Sequence, residues 1–395
     1  MIDYNKVLSR RAVELKPSGI RKFFDIAAEM KDVISLGVGE PDFKTPWSIR
    51  HAGIESLERG HTFYTANAGM AALKEEIARY LNRRFALDYC PKDEVIVTVG
   101  GSEGIDLCIR ALVNPGDEVL VVEPSFVCYT PITELTCGVP VPIQTHAKDH
   151  FRLTAEQLRA AITPKTKLLI LPYPNNPTGG VMRREHLEEI AGVLRQTDIM
   201  VLSDEIYAEL TYGPKRHISF ASIDGMKERT IVVNGFSKSY AMTGWRLGYV
   251  AGPKPVISQM LKIHQYAVMC APTTSQYAAI EALRNCDEDI ENMREQYDMR
   301  RRLVVDGFNR LGLSCFEPEG AFYVFPSIRS TGLSSGDFCM QLLEEERLAV
   351  VPGDAFGSCG EGFIRVSYSY SINHLLEALK RIEHFMGRFH EGLYV

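Results

Sequence analysis

Short apolar runs recur through the middle of the chain: VIVTVG (95–100), EVLVV (118–122), KLLILPY (167–173), IMVLSD (199–204), TIVVNGF (230–236) and LGYVAG (247–252). They are apolar on consecutive positions rather than on alternate ones, the pattern of a strand covered on both faces. Between them, segments 102–113, 154–162 and 183–195 space their apolar residues at helical intervals. Strand and helix therefore alternate, which predicts an α/β sheet with helices on both sides.

The pattern changes beyond residue 285. A long helical stretch at about 288–312 leads into GAFYVFP, LAVVPG and GFIRVSYSY, three strand-like runs flanked by helical segments. These predict a second, smaller α+β domain, with which the N-terminal segment through SLGVGEPDF is expected to pack. The expected division is a large domain over 46–285 and a small domain built from 1–45 and 286–395. A chain of 395 residues is long enough for two such cores.

Composition narrows the function classes. With 45% apolar and 24% charged residues the chain reads as an ordinary globular protein. Its net charge of −6 argues against a nucleic-acid partner, which calls for a basic surface, yet leaves room for a small phosphorylated ligand. The nine cysteines are odd in number, scattered and without a CxxC pair. Reduced thiols in the cytoplasm, with no bound metal, are the expectation. The charged N-terminus MIDYNKVLSRRAVELKP lacks the apolar run of a secretory signal. No stretch approaches the ~18 apolar residues of a membrane span, so no membrane partner is expected.

Candidate chemistry gathers where the strands end, because ligands of open α/β sheets bind outside the carboxyl ends of strands. After VIVTV, Gly100, Gly101, Ser102, Glu103 and Gly104 open a helix. Such a turn offers backbone N–H groups and a positive helix end to a phosphate, or is simply a tight turn with Ser102 as N-cap. After KLLILPY comes PNNPTG, turn-forming chemistry in which Asn176 could donate a hydrogen bond. Asp204 ends IMVL, with Tyr207 three residues on; a carboxylate there needs a partner such as a pyridinium N–H, a salt bridge or a helix N-terminus. GFSKSYAMTGWRLGY (235–249) places Lys238 directly after a buried strand, in small and apolar surroundings that lower an amine's pKa. Arg246, eight residues further on, is placed to clamp a phosphate with Ser237. Together these four strand ends meet the needs of a phosphorylated pyridine aldehyde: an amine for the aldehyde, a carboxylate for the ring nitrogen, donors for the ring hydroxyl and a cradle for the phosphate.

At SKSYAMTGWRLGY, taken with PNNPTG and SDEIY, the sequence resembles the class-I/II aminotransferases of fold type I, which depend on pyridoxal 5'-phosphate (PLP). The resemblance runs in consistent order from about residue 18 to residue 385. PSGIRKFFDIA, SLGVGEPDF, LLILPYPNNPTGG and GFIRVSYSYS bring it nearest to bacterial aromatic amino acid and N-acetyl-LL-diaminopimelate aminotransferases. It implies a mostly parallel seven-stranded sheet sandwiched by helices, with a smaller α+β domain. By position it implies that Lys238 bonds to the cofactor aldehyde, Asp204 holds the ring nitrogen protonated, Tyr207 and Asn176 bond the ring hydroxyl, and Phe126 stacks on the ring. Gly101, Ser102 and Glu103 backbone, with Ser237 and Arg246, would hold the phosphate. Arg365 and Gly39 would take the substrate α-carboxylate. Tyr64 matches a tyrosine that reaches the neighbouring subunit's phosphate, which implies a homodimer with shared active sites. One departure stands out: some relatives have Ser where this chain has Gly235.

The activity so implied moves an amino group between an L-amino acid and a 2-oxo acid, 2-oxoglutarate being the expected acceptor, by a ping-pong route with Lys238 as the base. Aromatic amino acids, aspartate and N-acetyl-LL-diaminopimelate are the candidate donors. Lys262 and His264 are basic residues that could meet a distal carboxylate, but their setting reads as helix surface. A cysteine-S-conjugate β-lyase would begin from the same chemistry. A non-catalytic PLP-binding regulator would need a DNA-binding domain, for which the stretch before the enzyme-like region is too short.

Overall fold

A computed structural model describes residues 2–16, 26, 30–214 and 216–390. The stretch PSGIRKFFDIA (17–27) lies outside the described residues apart from Ile26.

In chain order the strands are β1 (Ile34–Ser35), β2 (Val95–Thr98), β3 (Glu118–Glu123), β4 (Val139–Gln144), β5 (Thr166–Leu171), β6 (Met200–Asp204), β7 (Thr230–Gly235), β8 (Gly248–Ala251), β9 (Tyr323–Val324), β10 (Leu348–Ala349), β11 (Val351–Pro352) and β12 (Ile364–Ser367). Seven of them form one sheet in the order β2-β8-β7-β6-β5-β3-β4. Neighbours from β7 to β4 are parallel, whereas β8 runs antiparallel to both β7 and β2. The mostly parallel seven-stranded sheet implied by the resemblance is therefore present. Six strands point one way and present their carboxyl ends at one edge, where β8 presents its beginning.

The continuous apolar runs have a direct cause. Val95, Val97, Val232 and Tyr249 pack with Leu73, Ile77, Ala279 and Leu283, from helices Ala71–Phe85 and Thr273–Asn285. The alternate residues Ile96, Ile231, Val233 and Val250 pack with Ile105, Ile109, Ile257 and Met260, from helices Gly100–Leu112 and Lys254–Ala267 on the other face. Both faces are covered, so both sets must be apolar.

The sequence pattern did not predict β4. Its VPVPIQ carries Pro140 and Pro142, which cannot donate to a ladder, and it lies at the sheet edge beside β3, where proline is tolerated.

The C-terminal runs form the antiparallel sheet β11-β12-β9. Their core joins Phe308, Phe322, Phe338, Leu342, Ile382 and Phe385. β1 pairs in parallel with β10, and Leu36 O accepts from Ser367 N at 2.8 Å. Residues 34–36 of the N-terminal segment thus pair with strands of the C-terminal part.

Candidate active site

The carboxyl edge of the sheet gathers most of the predicted side chains. β7 ends at Gly235, and Lys238 follows within one turn. Its Nζ donates to Gly39 O at 2.6 Å and lies 5.9 Å and 5.8 Å from the ring centres of Tyr207 and Phe322. Burial, aided by the nearby Arg365 and Arg246 cations, lowers its pKa from 10.5 to about 8. Glu40 and Asp204 pull the other way without reversing the shift. An amine in this state is partly uncharged near neutral pH and can act as nucleophile or base.

Asp204 closes the neighbouring β6. Its Oδ2 accepts from Tyr129 Oη at 2.7 Å and its Oδ1 from Ile206 N at 3.2 Å. Burial raises its pKa, and these two bonds and Lys238 oppose the rise. Tyr207 lies a few residues on, its hydroxyl 2.8 Å from that of Tyr323. Burial holds the Tyr207 phenol well above its ordinary pKa, so it stays a neutral hydroxyl able to donate.

The glycine-rich turn after β2 lacks the N-cap suggested by its sequence. Ser102 lies inside the helix; the N-cap is Val99, and no side chain caps that end. A valine offers no acceptor, so the first-turn N–H groups of Gly100–Leu112 remain suited to an anion. Gly100 sits at φ +76°, and a Cβ there would come within 2.8 Å of Arg246 Nη2. Arg246 reaches this place because β8 runs backward, which brings the residues preceding Gly248 to the same edge. The Gly235 departure has a steric reason: a Cβ there would lie 2.9 Å from Gly248 Cα on the adjacent strand.

Arg365, on β12, is 4% exposed. Nη1 donates to Asn176 Oδ1 at 2.9 Å, Nη2 donates to Gly37 O, and Nε has no partner. The guanidinium lies 4.6 Å from the Tyr323 ring centre and 4.8 Å from that of Phe356. Burial lowers its pKa, although an arginine stays charged across the physiological range. A buried cation held by neutral acceptors, with one donor idle, is matched to a visiting anion.

Eleven of the predicted residues line one cavity of about 570 Å³: Gly39, Gly101, Ser102, Phe126, Asn176, Asp204, Tyr207, Ser237, Lys238, Arg246 and Arg365. Two do not. Glu103, expected to offer its backbone to the phosphate, is not in the lining, and its side chain goes instead to Val99 N and His264 Nδ1. Tyr64 is 81% exposed and borders a separate surface hollow with Phe63 and Tyr277. His264, expected on a helix surface, is instead fully buried, while Lys262 is exposed. Sequence reasoning also missed Tyr129 and Tyr323, which lie in the apolar strings EPSFVCY and GAFYVFP. Their only signal was a phenol hydroxyl in a largely apolar run.

The cavity suits a phosphorylated pyridine aldehyde in each part: an amine at lowered pKa, a buried carboxylate, an uncapped helix end beside an arginine, and a second arginine for a carboxylate. Among the described residues no cluster of His, Cys, Asp and Glu could hold a metal ion.

Comparison with known proteins finds relatives along most of the chain. The family model described as "Aminotransferase class I and II" matches residues 31–382. A Bacillus subtilis protein named as an aminotransferase, YugH, is 55% identical over 379 residues, covering 96% of this chain and 98% of its own. An aspartate aminotransferase of Pyrococcus abyssi is 46% identical over 378 residues, covering 95% and 97%. The crystal structure of an aromatic aminotransferase from Pyrococcus horikoshii superposes with a TM-score of 0.89 at 44% identity, covering 94% of this chain and 99% of that one.

Proposed function

Since this chain belongs to the class I and II aminotransferase family, and is a PLP-dependent enzyme that moves an amino group between an amino acid and a 2-oxo acid, we propose which of its residues hold the cofactor and which the substrate. Bound PLP supplies an aldehyde that captures amines and a ring that draws electrons from the α-carbon. Lys238 would be the residue that bonds to it, and its Nζ the base that takes the α-proton and returns it. Asp204 keeps the ring nitrogen protonated, with Tyr129 holding its carboxylate in place. Tyr207 and Asn176 donate to the ring oxygen, and Phe126 covers the ring. Gly101, Ser102, Ser237 and Arg246 cradle the phosphate. Arg365 and the Gly39 backbone receive the α-carboxylate, a planar group that a guanidinium can bind through two parallel bonds.

One observation carries this reading: the Lys238 amine, the Asp204 carboxylate and the Arg365 guanidinium open on the same cavity from β7, β6 and β12. We read the acceptor as 2-oxoglutarate in a ping-pong cycle, and the donors as aromatic amino acids, aspartate or N-acetyl-LL-diaminopimelate. The test is Lys238→Ala, paired with an assay of these donors against 2-oxoglutarate. The variant should lose transamination and the pH-sensitive visible absorbance of the PLP-bound enzyme. Sustained multiple turnover by it would refute the assignment. Pyruvate and ammonia released from cystathionine without a 2-oxo acid would mark a β-lyase instead.

We also propose a homodimer in which Tyr64 serves the partner's phosphate site. Thr273 Oγ1 donates to Phe63 O at 2.7 Å and Asn67 Nδ2 to Met269 O at 2.8 Å. These bonds tie the segment carrying the exposed Phe63 and Tyr64 to the one carrying the exposed Met269, and exposed apolar side chains of this kind are suited to burial against a second copy. The division into 46–285, and 1–45 with 286–395, is supported by the β1–β10 pairing and by a core drawn mostly from the C-terminal part, which also takes in Tyr207, Leu210, Tyr212 and Ala241 of the large domain. Free cysteines throughout favour the cytoplasm. No helix of the described residues is long and apolar enough to cross a membrane.

A further inference from the structure

We propose that Glu103 and His264 form a buried positioning pair that sets the affinity of the site for the phosphate of its cofactor. The proposal rests on the phosphate cradle described above. His264 lies on the helix Lys254–Ala267 and is 0% exposed. Its Nδ1 is 2.7 Å from Glu103 Oε1. An ionised carboxylate only accepts, so Nδ1–H donates. Nε2 is buried with no partner, a cost that an apolar side chain in the same place would not carry. The histidine is therefore a poor choice for packing alone, and its one polar contact is Glu103.

Glu103 passes that contact on. Its Oε2 accepts from Val99 N at 2.5 Å, reaching back one turn to the residue that caps the helix and has no acceptor of its own. Such a backward bond satisfies the N–H of the N-cap residue and ties it to the first turn. The next residues are Gly100, against which Arg246 rests, and Gly101 and Ser102, which line the cavity. The pair also disposes of a charge. A carboxylate in the first turn of this helix would repel a phosphate if it faced the cavity, but both of its oxygens are engaged behind the turn, by a backbone N–H and an imidazole N–H.

A cap that serves only the helix would affect all ligands alike, whereas this pair should affect only those with a phosphate. The experiment compares PLP with pyridoxal, which lacks that group, by absorbance titration of the cofactor-free full chain. For the natural enzyme PLP should bind far more tightly. In His264→Leu the ratio of the two dissociation constants should shrink about tenfold or more, with pyridoxal affinity nearly unchanged. His264→Asn, whose Nδ2 can take the place of Nδ1, should keep the natural ratio. If the leucine variant does not fold, His264→Gln replaces it, with its amide at the Nε2 position and the same loss expected. An unchanged ratio in the Leu or Gln variant, or equal losses for both ligands, would overturn the pair's role and leave the cradle intact. A natural enzyme with no preference for PLP over pyridoxal would overturn the cradle itself, and this inference with it.

Discussion

Lys238→Met should stabilise the cofactor-free protein near neutral pH, and the gain should shrink in alkali. The native pKa of Lys238 is about 8 against 10.5 for an unperturbed lysine. The folded state therefore disfavours the charged amine. Below about pH 8 both states carry the proton, and folding bears the full penalty of about 3 kcal/mol. As pH rises from 8 to 10.5 the folded amine has lost its proton while the unfolded one still holds it. The penalty fades across that window, so native stability rises there. Methionine keeps an unbranched side chain one atom shorter and removes the charge. It also removes the bond to Gly39 O, at a cost of about 1 kcal/mol that depends little on pH. The net gain near pH 7 should then be about 2 kcal/mol, and near pH 9.5 it should be close to zero, about 2 kcal/mol less. Urea unfolding of the natural protein and the variant at the two pH values, followed by circular dichroism, measures the difference directly. A gain equal at both pH values would show that burial does not depress this amine, and the argument for its reactivity would lose its electrostatic basis.

Three further outcomes follow from the same cavity. Asp204→Ala should lower kcat by about a hundredfold or more and Asp204→Glu by much less; equal rates would argue against a role at the ring nitrogen. Arg365→Lys keeps the charge but loses the planar pair of donors, so KM for amino acid and 2-oxo acid should rise about tenfold or more, as initial-rate assays on both half-reactions would show. Tyr129→Phe removes a bond to the ionised form of Asp204, so the Asp204 pKa should rise further and the acidic limb of the kcat/KM profile should move to higher pH, with little change on the alkaline side.

How far the sequence could be read depended on whether function sat where the strands end. Lys238, Asp204 and the Gly100–Gly101 turn follow recognisable buried strands, and a parallel sheet brings such ends together, so their convergence was legible. β4 was not, because Pro140 and Pro142 break the strand signature that an edge position forgives. Tyr129 and Tyr323 sat in apolar strings, where an aromatic residue reads as core. Their hydroxyls gain meaning only beside Asp204 and Tyr207, contacts that span 75 and 116 residues. His264 could have been found: Ile257, Met260 and His264 lie three and four residues apart, which puts the histidine on the buried stripe of its helix. Tyr64 has no role that one chain can display.

The backward strand of the main sheet has a consequence for tolerance to change. Gly235 and Gly248 face each other in the β7–β8 ladder, and the excursion between them holds both Lys238 and Arg246. Paired at both ends, that excursion sets the separation of the residues proposed above as the covalent grip and the ionic one. The excursion is no surface loop, for Phe236, Tyr240 and Met242 within it are buried in the core. An insertion between 238 and 246 would therefore disturb the packing of Tyr240 and Met242 as well as move apart the two residues proposed to hold the ends of the cofactor.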